Sequence, residues 1–321
     1  MKFAEERVIK KMSLKTVFKT MKNEGYVIKP MEKYLMSLSS TDEDRAIDVN
    51  APSQLGACLR SRYYARTKAE RDGCAVDPRS RRILDNGTGV HERLQSYLRQ
   101  QGMLLIDEVP VLNEEYNIQG HTDGILQLTP NELGILEIKS INSNGFNNLK
   151  SAKLEHKMQG LIYVYCIEER RKWLHEMYGE FRADKPKLSK ANFAKFTKDV
   201  KNREAYLGQF YQHLKSGKHY TREEKIQFQL NLHASIDGIL FNTEKPITKA
   251  IFLYENKDTQ ELKEFTISSE EAESKVLLKN TLEDCAFLND SVINEELPDR
   301  EGKSKSDGLC RWCSFKTECW G

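Results

Sequence analysis

Apolar and polar positions follow two rhythms along this chain of 321 residues. Residues 1–50 read as helical and polar, ending in the loop-like SLSSTDED. APSQLGACLRSRYYAR has a Ser/Pro entry followed by a helix-like mix of apolar and basic residues. ILDNGTGVHERLQSYLRQQG begins at a Gly-rich turn and continues with Val90, Leu94 and Leu98 at helical spacing until Gly102, a usual terminator. The rhythm then changes to that of strands. LLIDEVPVL, NIQGHTDGILQL and ELGILEIKSI are β-rich runs separated by turn-formers, which predicts an antiparallel meander. LEHKMQGLIYVYCIEERRKWL reads as a long helix, and residues from about 175 to 235 as mostly helical and basic. KAIFLYENKDTQELKEFTI predicts two strands joined at Asn256–Asp258, and a helix from about 269 to 288 follows.

This order predicts an α/β fold with a central mixed sheet flanked by helices. Four regions are expected. Residues 1–50 form an N-terminal helical region and 51–167 the core. Residues 168–245 form a basic helical insertion, and 246–321 hold the end of the core and a cysteine-rich tail.

Composition narrows the setting. Charged residues make up 31% and mean hydropathy is −0.65, and no apolar run approaches the ~18 residues of a membrane span. The opening MKFAEERVIKKM lacks the apolar stretch of a secretory leader, so a cytoplasmic setting with no membrane partner is expected. In that setting the seven cysteines suit metal ligands and buried thiols better than disulfides. The net charge of +2 hides an uneven distribution: Arg182 to Arg203 holds eight Lys or Arg against two Asp, interleaved with Phe193 and Phe196. Such a stretch suits a nucleic-acid backbone, although composition alone favours a solvated helical face. From Glu270 to Glu301 ten acids face three basic residues.

Candidate chemistry centres on Asp123 and the triplet Glu137-Ile138-Lys139. Alternation along a strand puts Glu137 and Lys139 on one face and Leu136 and Ile138 on the other. Charges inside an apolar strand are costly unless paired or bound. A hairpin connection can bring Asp123 beside Glu137, and two converging carboxylates make a hard oxygen site for Mg²⁺ or Mn²⁺. The lysine can orient an attacking water or neutralise a phosphate. An E-x-K triplet alone also suits a salt-bridged strand. Its neighbours matter: His91 upstream, the G-x-x-D of Gly120 to Asp123, and Gln159 and Tyr163 on one face of the following helix. Glu108, in the first strand of the meander, reads as a surface carboxylate and a possible extra acid.

The tail holds Cys310, Cys313 and Cys319, with C-x-x-C spacing suited to zinc or an iron–sulfur cluster. A fourth ligand comes from Cys58, Cys74, Cys166 or Cys285, of which Cys166 and Cys285 have core-like neighbours.

The order H…G-x-x-D…E-x-K…Q-x-x-x-Y resembles the RecB-type branch of the PD-(D/E)XK nucleases, which includes CRISPR-associated exonucleases, AddB nuclease domains and many phage exonucleases. The resemblance covers about residues 50–165 and the tail. It implies a restriction-endonuclease-like core that hydrolyses DNA, single-stranded or with free ends, with recombination, phage-replication or CRISPR adaptation proteins as partners. It implies Mg²⁺ or Mn²⁺ held by His91, Asp123, Glu137 and the Ile138 carbonyl. Lys139 would then position the water, and Gln159 and Tyr163 would organise the site. The iron–sulfur members carry one cysteine before the core and C-x-x-C-x5-C after it, which implies a 4Fe-4S cluster on Cys58, Cys310, Cys313 and Cys319. Zinc on the same thiolates is the alternative. Arg60, Arg62, Tyr63 and Tyr64 would flank the cluster where DNA can reach. A non-catalytic DNA-binding or partner-binding module is the competing function. No Walker motif is present.

Overall fold

The computed structural model describes residues 26–37, 48–67, 77–184, 222–311 and 313–321. Cys74, most of the N-terminal region and most of the basic stretch at 182–203 lie outside the described residues.

Helix α1 (Ile28–Ser37) belongs to the N-terminal region. A 3₁₀ turn at Pro52–Gln54 precedes α2 (Leu59–Arg66), whose N-cap is Cys58. Helix α3 (Pro78–Gln100) starts earlier than its pattern suggests. The Asp77 carboxylate accepts from Arg79 N at 2.9 Å and Ser80 N at 3.1 Å, and Pro78 takes the first helical position, where a missing N–H does no harm. The Gly-rich turn expected around Gly87 and Gly89 is therefore a correction: both lie inside the helix. Each interior glycine costs about 1 kcal/mol, less than the long capped helix gains by burying Val90 and Leu94.

Strands β1 (Leu104–Asn113), β2 (Ile118–Thr129) and β3 (Glu132–Ile141) form the antiparallel meander. The chain then passes through α4 (Ser143–Asn147), α5 (Leu154–Asp184) and α6 (Arg222–Phe241). Strand β4 (Lys249–Asn256) lies parallel to β3, as a crossover of this length allows. Strand β5 (Leu262–Ser268) closes the edge antiparallel, then come α7 (Ala272–Ile293) and α8 (Lys316–Trp320). The result is a mixed five-stranded sheet, ordered β1-β2-β3-β4-β5 and flanked by helices, consistent with a restriction-endonuclease-like core. No helix among the described residues is long and apolar enough to cross a membrane.

Strand alternation sends side chains to two cores. Ile125, Ile135 and Phe252 pack with Leu161, Ile162 and Tyr163 of α5. Leu126, Leu136 and Ile138 pack with Val90 and Leu94 of α3. Helix α5 sits close to the sheet because Gly160 has no side chain: a Cβ there would lie 2.5 Å from Phe252 Cζ. It runs unbroken past residue 167 into the segment read as an insertion, and α6 packs against it. Helix α2 is locked to the core by buried polar contacts. Arg62 Nη2 donates to Asn50 Oδ1 at 3.0 Å and to Cys285 Sγ at 3.4 Å, and Arg66 Nη1 to Asn289 Oδ1 at 2.7 Å.

Candidate active site and cysteine pocket

The β2–β3 ladder ends at Gly124↔Leu136. Beyond that point side chains replace main-chain pairing. Thr122 Oγ1 donates to Leu136 O at 2.7 Å, and Ile138 N donates to Asp123 Oδ2. Asp123 is thus wedged where two strands part, with both carboxylate oxygens engaged: Oδ1 meets His91 Nδ1 at 2.9 Å. Two glycines make this wedge sterically feasible. A Cβ on Gly120 would sit 2.8 Å from Pro52 Cδ, and one on Gly124 would sit 2.7 Å from Ile106 O in β1. Gly124 thus allows close approach of the β1 backbone, and Gly120 leaves room for the Pro52 ring.

Glu137 and Lys139 share a face of β3, as alternation requires, and Lys139 Nζ meets Glu137 Oε1 at 2.6 Å. Lys139 Nζ also donates to Gln159 Oε1 at 3.1 Å, and Gln159 Nε2 to Tyr163 OH at 2.9 Å. An ammonium only donates, so the Gln159 carbonyl must face it and the amide nitrogen must face Tyr163. The structure thus brings together all the expected residues. His91–Asp123–Ile138 forms one chain of contacts, and Glu137–Lys139–Gln159–Tyr163 the other.

The electrostatics couple the two chains. Burial, then the neighbouring Asp123 charge, push the Glu137 carboxyl well above the usual carboxylate range, against the pull of Lys139. Burial alone would lower His91, but the Asp123 hydrogen bond and the Asp123 and Glu137 charges outweigh it and raise the imidazole. Burial, then Glu137, raise Tyr163 well above the usual phenol value, so it keeps its proton. Two buried carboxylates that repel each other suit a divalent cation, and oxygen donors beside an imidazole match Mg²⁺ or Mn²⁺. Among the described residues, no three His, Cys, Asp or Glu side chains converge tightly enough to hold a single metal ion.

Three residues were not singled out correctly from sequence. Thr122 holds the strand junction open. Gln95 is 4% exposed and gives its amide to both Asp123 O and Glu108 Oε1, each at 3.0 Å. Its spacing of i+4 from His91 was the available signal. Glu108 is a correction: it is part-buried rather than a surface carboxylate, because β1 turns its main chain to φ +50 and points it at Gln95.

The second constellation lies at the chain's far end. Cys58, Cys310, Cys313 and Cys319 line one pocket, with Tyr64 and Trp320 among its other walls. Backbone N–H groups point at two of the sulfurs: Ser61 N to Cys58 Sγ and Phe315 N to Cys313 Sγ, both at 3.4 Å. Burial raises the Cys58 thiol. Gly302 closes against Cys310, where a Cβ would lie 2.4 Å from Sγ. Cys166 and Cys285 are buried in the core, as expected. Arg62 and Tyr64 are corrections, since both are buried. Arg62 faces Asn50 and Cys285, and Tyr64 packs on Phe315 at 5.8 Å, so neither is presented to solvent.

No family model matches the chain, and no curated protein matches its sequence. Among solved structures, one described as the crystal structure of SSO0001 matches with a TM-score of 0.44 and 15% identity, over 92% of this chain and 97% of that one. An alkaline exonuclease, LHK-Exo from Laribacter hongkongensis, matches with a TM-score of 0.34 and 10% identity, over 82% of this chain and 96% of that one. Neither likeness is close enough to carry an argument about function.

Proposed function

We propose that this protein is a divalent-metal-dependent DNA nuclease of the PD-(D/E)XK superfamily, in its RecB-type iron–sulfur branch, and that it hydrolyses DNA from free ends. One observation carries the reading: His91, Asp123, Glu137, Lys139, Gln159 and Tyr163 meet in one cluster where β2 parts from β3. Such a cluster is expensive as mere structure. Burying carboxylates costs several kcal/mol each, and a hydrogen bond to a charged group returns only about 1.5–3 kcal/mol.

His91, Asp123, Glu137 and the Ile138 carbonyl would hold Mg²⁺ or Mn²⁺ after a shift of side chains that do not converge on one point, and the ion would supply charge neutralisation at the phosphate and acidify a nearby water. The chain's own groups do the positioning. Lys139, fixed by Glu137 and Gln159, orients the attacking water and neutralises a phosphate oxygen. Gln159 holds the lysine on line, and Tyr163 holds Gln159. The water oxygen bonds to phosphorus, the ester P–O bond breaks, and the departing oxygen takes up a proton.

The four thiols that share a pocket, with N–H groups aimed at two of them, fit a 4Fe-4S cluster. A cubane spreads its thiolates around several irons, so the sulfurs need not converge as on one zinc. The cluster would tie α2 to the tail as a structural staple, with partners drawn from recombination, phage-replication or CRISPR adaptation systems.

The test compares end-labelled linear DNA with covalently closed circular DNA, using anaerobically purified protein and Mn²⁺. Loss of the linear form with the circle intact is expected. Equal attack on both would make it an endonuclease, and cleavage of neither by folded protein would favour a non-catalytic DNA-binding module.

A further inference from the structure

Glu108 stands out within β1. Its φ of +50 lies in the left-handed region, which is costly for a residue with a side chain and is retained only where surrounding contacts enforce it. The flanking register is regular, with Asp107↔Gly124 and Val109↔Thr122 paired across to β2, so the strain is confined to one residue. Its effect is to turn the carboxylate toward α3, where Glu108 Oε1 accepts from Gln95 Nε2 at 3.0 Å. The other hydrogen of the same amide goes to Asp123 O, also at 3.0 Å. Asp123 sits where the β2–β3 ladder has already ended. Its main chain therefore lacks the support that pairing with β3 would give, and Gln95 supplies a substitute from α3.

We propose that Glu108 is a positioning residue of this site: by holding the Gln95 amide it fixes the main chain of Asp123, and with it the carboxylate that reaches His91 and Ile138. Burial and the Asp123 charge both raise the Glu108 carboxyl, which agrees with an acid held close to the cluster. The functional half of this proposal rests on the nuclease reading. The structural half does not, because the Ile138 N–H that donates to Asp123 reports on Asp123 without metal or substrate.

The experiment uses the full chain with Glu108→Ala, Glu108→Gln, Glu108→Gly and Gln95→Leu, each compared with wild type. Three quantities are measured: amide exchange in metal-free protein, steady-state cleavage with Mn²⁺, and melting temperature. In Glu108→Ala and Gln95→Leu, Ile138 is expected to exchange at least about tenfold faster, while Phe252 in β4 is unchanged. Their kcat should fall about tenfold with KM for DNA unaltered, as expected for a misplaced group that acts on the transition state. Glu108→Gln can still accept from Gln95 and should recover both quantities to within about threefold. Glu108→Gly should melt no lower than Glu108→Ala, since φ +50 suits glycine, and yet be equally impaired.

Wild-type exchange and cleavage in Glu108→Ala would overturn the proposal. So would a Glu108→Gln variant as impaired as Glu108→Ala, which would point to charge rather than positioning. Faster exchange across the whole sheet with a lowered melting temperature would reduce Glu108 to a fold residue and overturn it equally. Localised loosening at Ile138 in a protein whose wild type cleaves no DNA would support the Glu108–Gln95–Asp123 coupling and sink the nuclease reading instead.

Discussion

Removing a carboxylate from water costs several kcal/mol, and Glu137, 3% exposed, meets Lys139 as its counter-charge. That contact gives Lys139 a structural part as the partner of Glu137, beside the proposed one of facing the reacting phosphate. Lys139→Met is expected to lower cleavage at least about a hundredfold, the scale on which a transition-state donor acts, with the sheet still formed by circular dichroism. A variant that keeps more than a tenth of the activity would remove Lys139 from the chemistry. His156 shows the opposite use of burial. Tyr254 OH accepts from Lys153 N at 3.2 Å and meets His156 Nδ1 at 2.6 Å. Burial, then Lys139 and Lys153, push His156 down to about 3. Its folded value lies below the unfolded value of about 6.5. The stability this contributes is therefore complete above about pH 6.5 and is lost as pH falls toward 3. Urea midpoints at about pH 7.5 and pH 5 should fall further for wild type than for His156→Gln, and equal falls would refute this. At this scale E-x-K and G-x-x-D were legible, because strand alternation and glycine spacing are local. Gln95, Thr122 and the inward turn of Glu108 were not, because each depends on a contact between elements.

Helices and strands were legible where a period runs long enough, and less so where capping decides. Asp77-Pro78 starts α3 well before its apolar stripe, so glycines that look like a turn are carried inside a helix. Glycine 160 was equally silent in sequence, although it sets how near α5 lies to β4. In an exposed helix Gly→Ala gains about 1 kcal/mol. Here the new Cβ would lie 2.5 Å from Phe252 Cζ and 3.0 Å from Ala250 Cβ, against a ring that is fully buried. Gly160→Ala should therefore destabilise by about 1–3 kcal/mol, measured by urea unfolding. A stabilised variant would show that α5 is free to move off the sheet, and would loosen the placement of Gln159 and Tyr163 with it.

Across the whole molecule, two ends of the chain about 250 residues apart meet at one pocket. Closing a loop of that length restricts the unfolded chain by several kcal/mol. Cys313→Ala should remove visible absorption from anaerobically purified protein and lower its melting temperature, while leaving the His91–Asp123 cluster in place. An unchanged spectrum and melt would contradict a cluster at this pocket, and retained stoichiometric zinc would replace it. The tail's C-x-x-C spacing was legible, but the burial of Arg62 and Tyr64 was not, since α7 covers Arg62 and Phe315 of the tail covers Tyr64. The proposed activity of the whole molecule is metal-dependent phosphodiester hydrolysis at the β2–β3 parting. The most direct measurement is cleavage of end-labelled linear DNA by wild type and Asp123→Ala, each with Mn²⁺, with Mg²⁺ and with EDTA. Wild type is expected to degrade the DNA with either metal and not with EDTA, and the folded variant under none of the three conditions. Equal cleavage by Asp123→Ala, or cleavage that survives EDTA, would contradict the proposed activity.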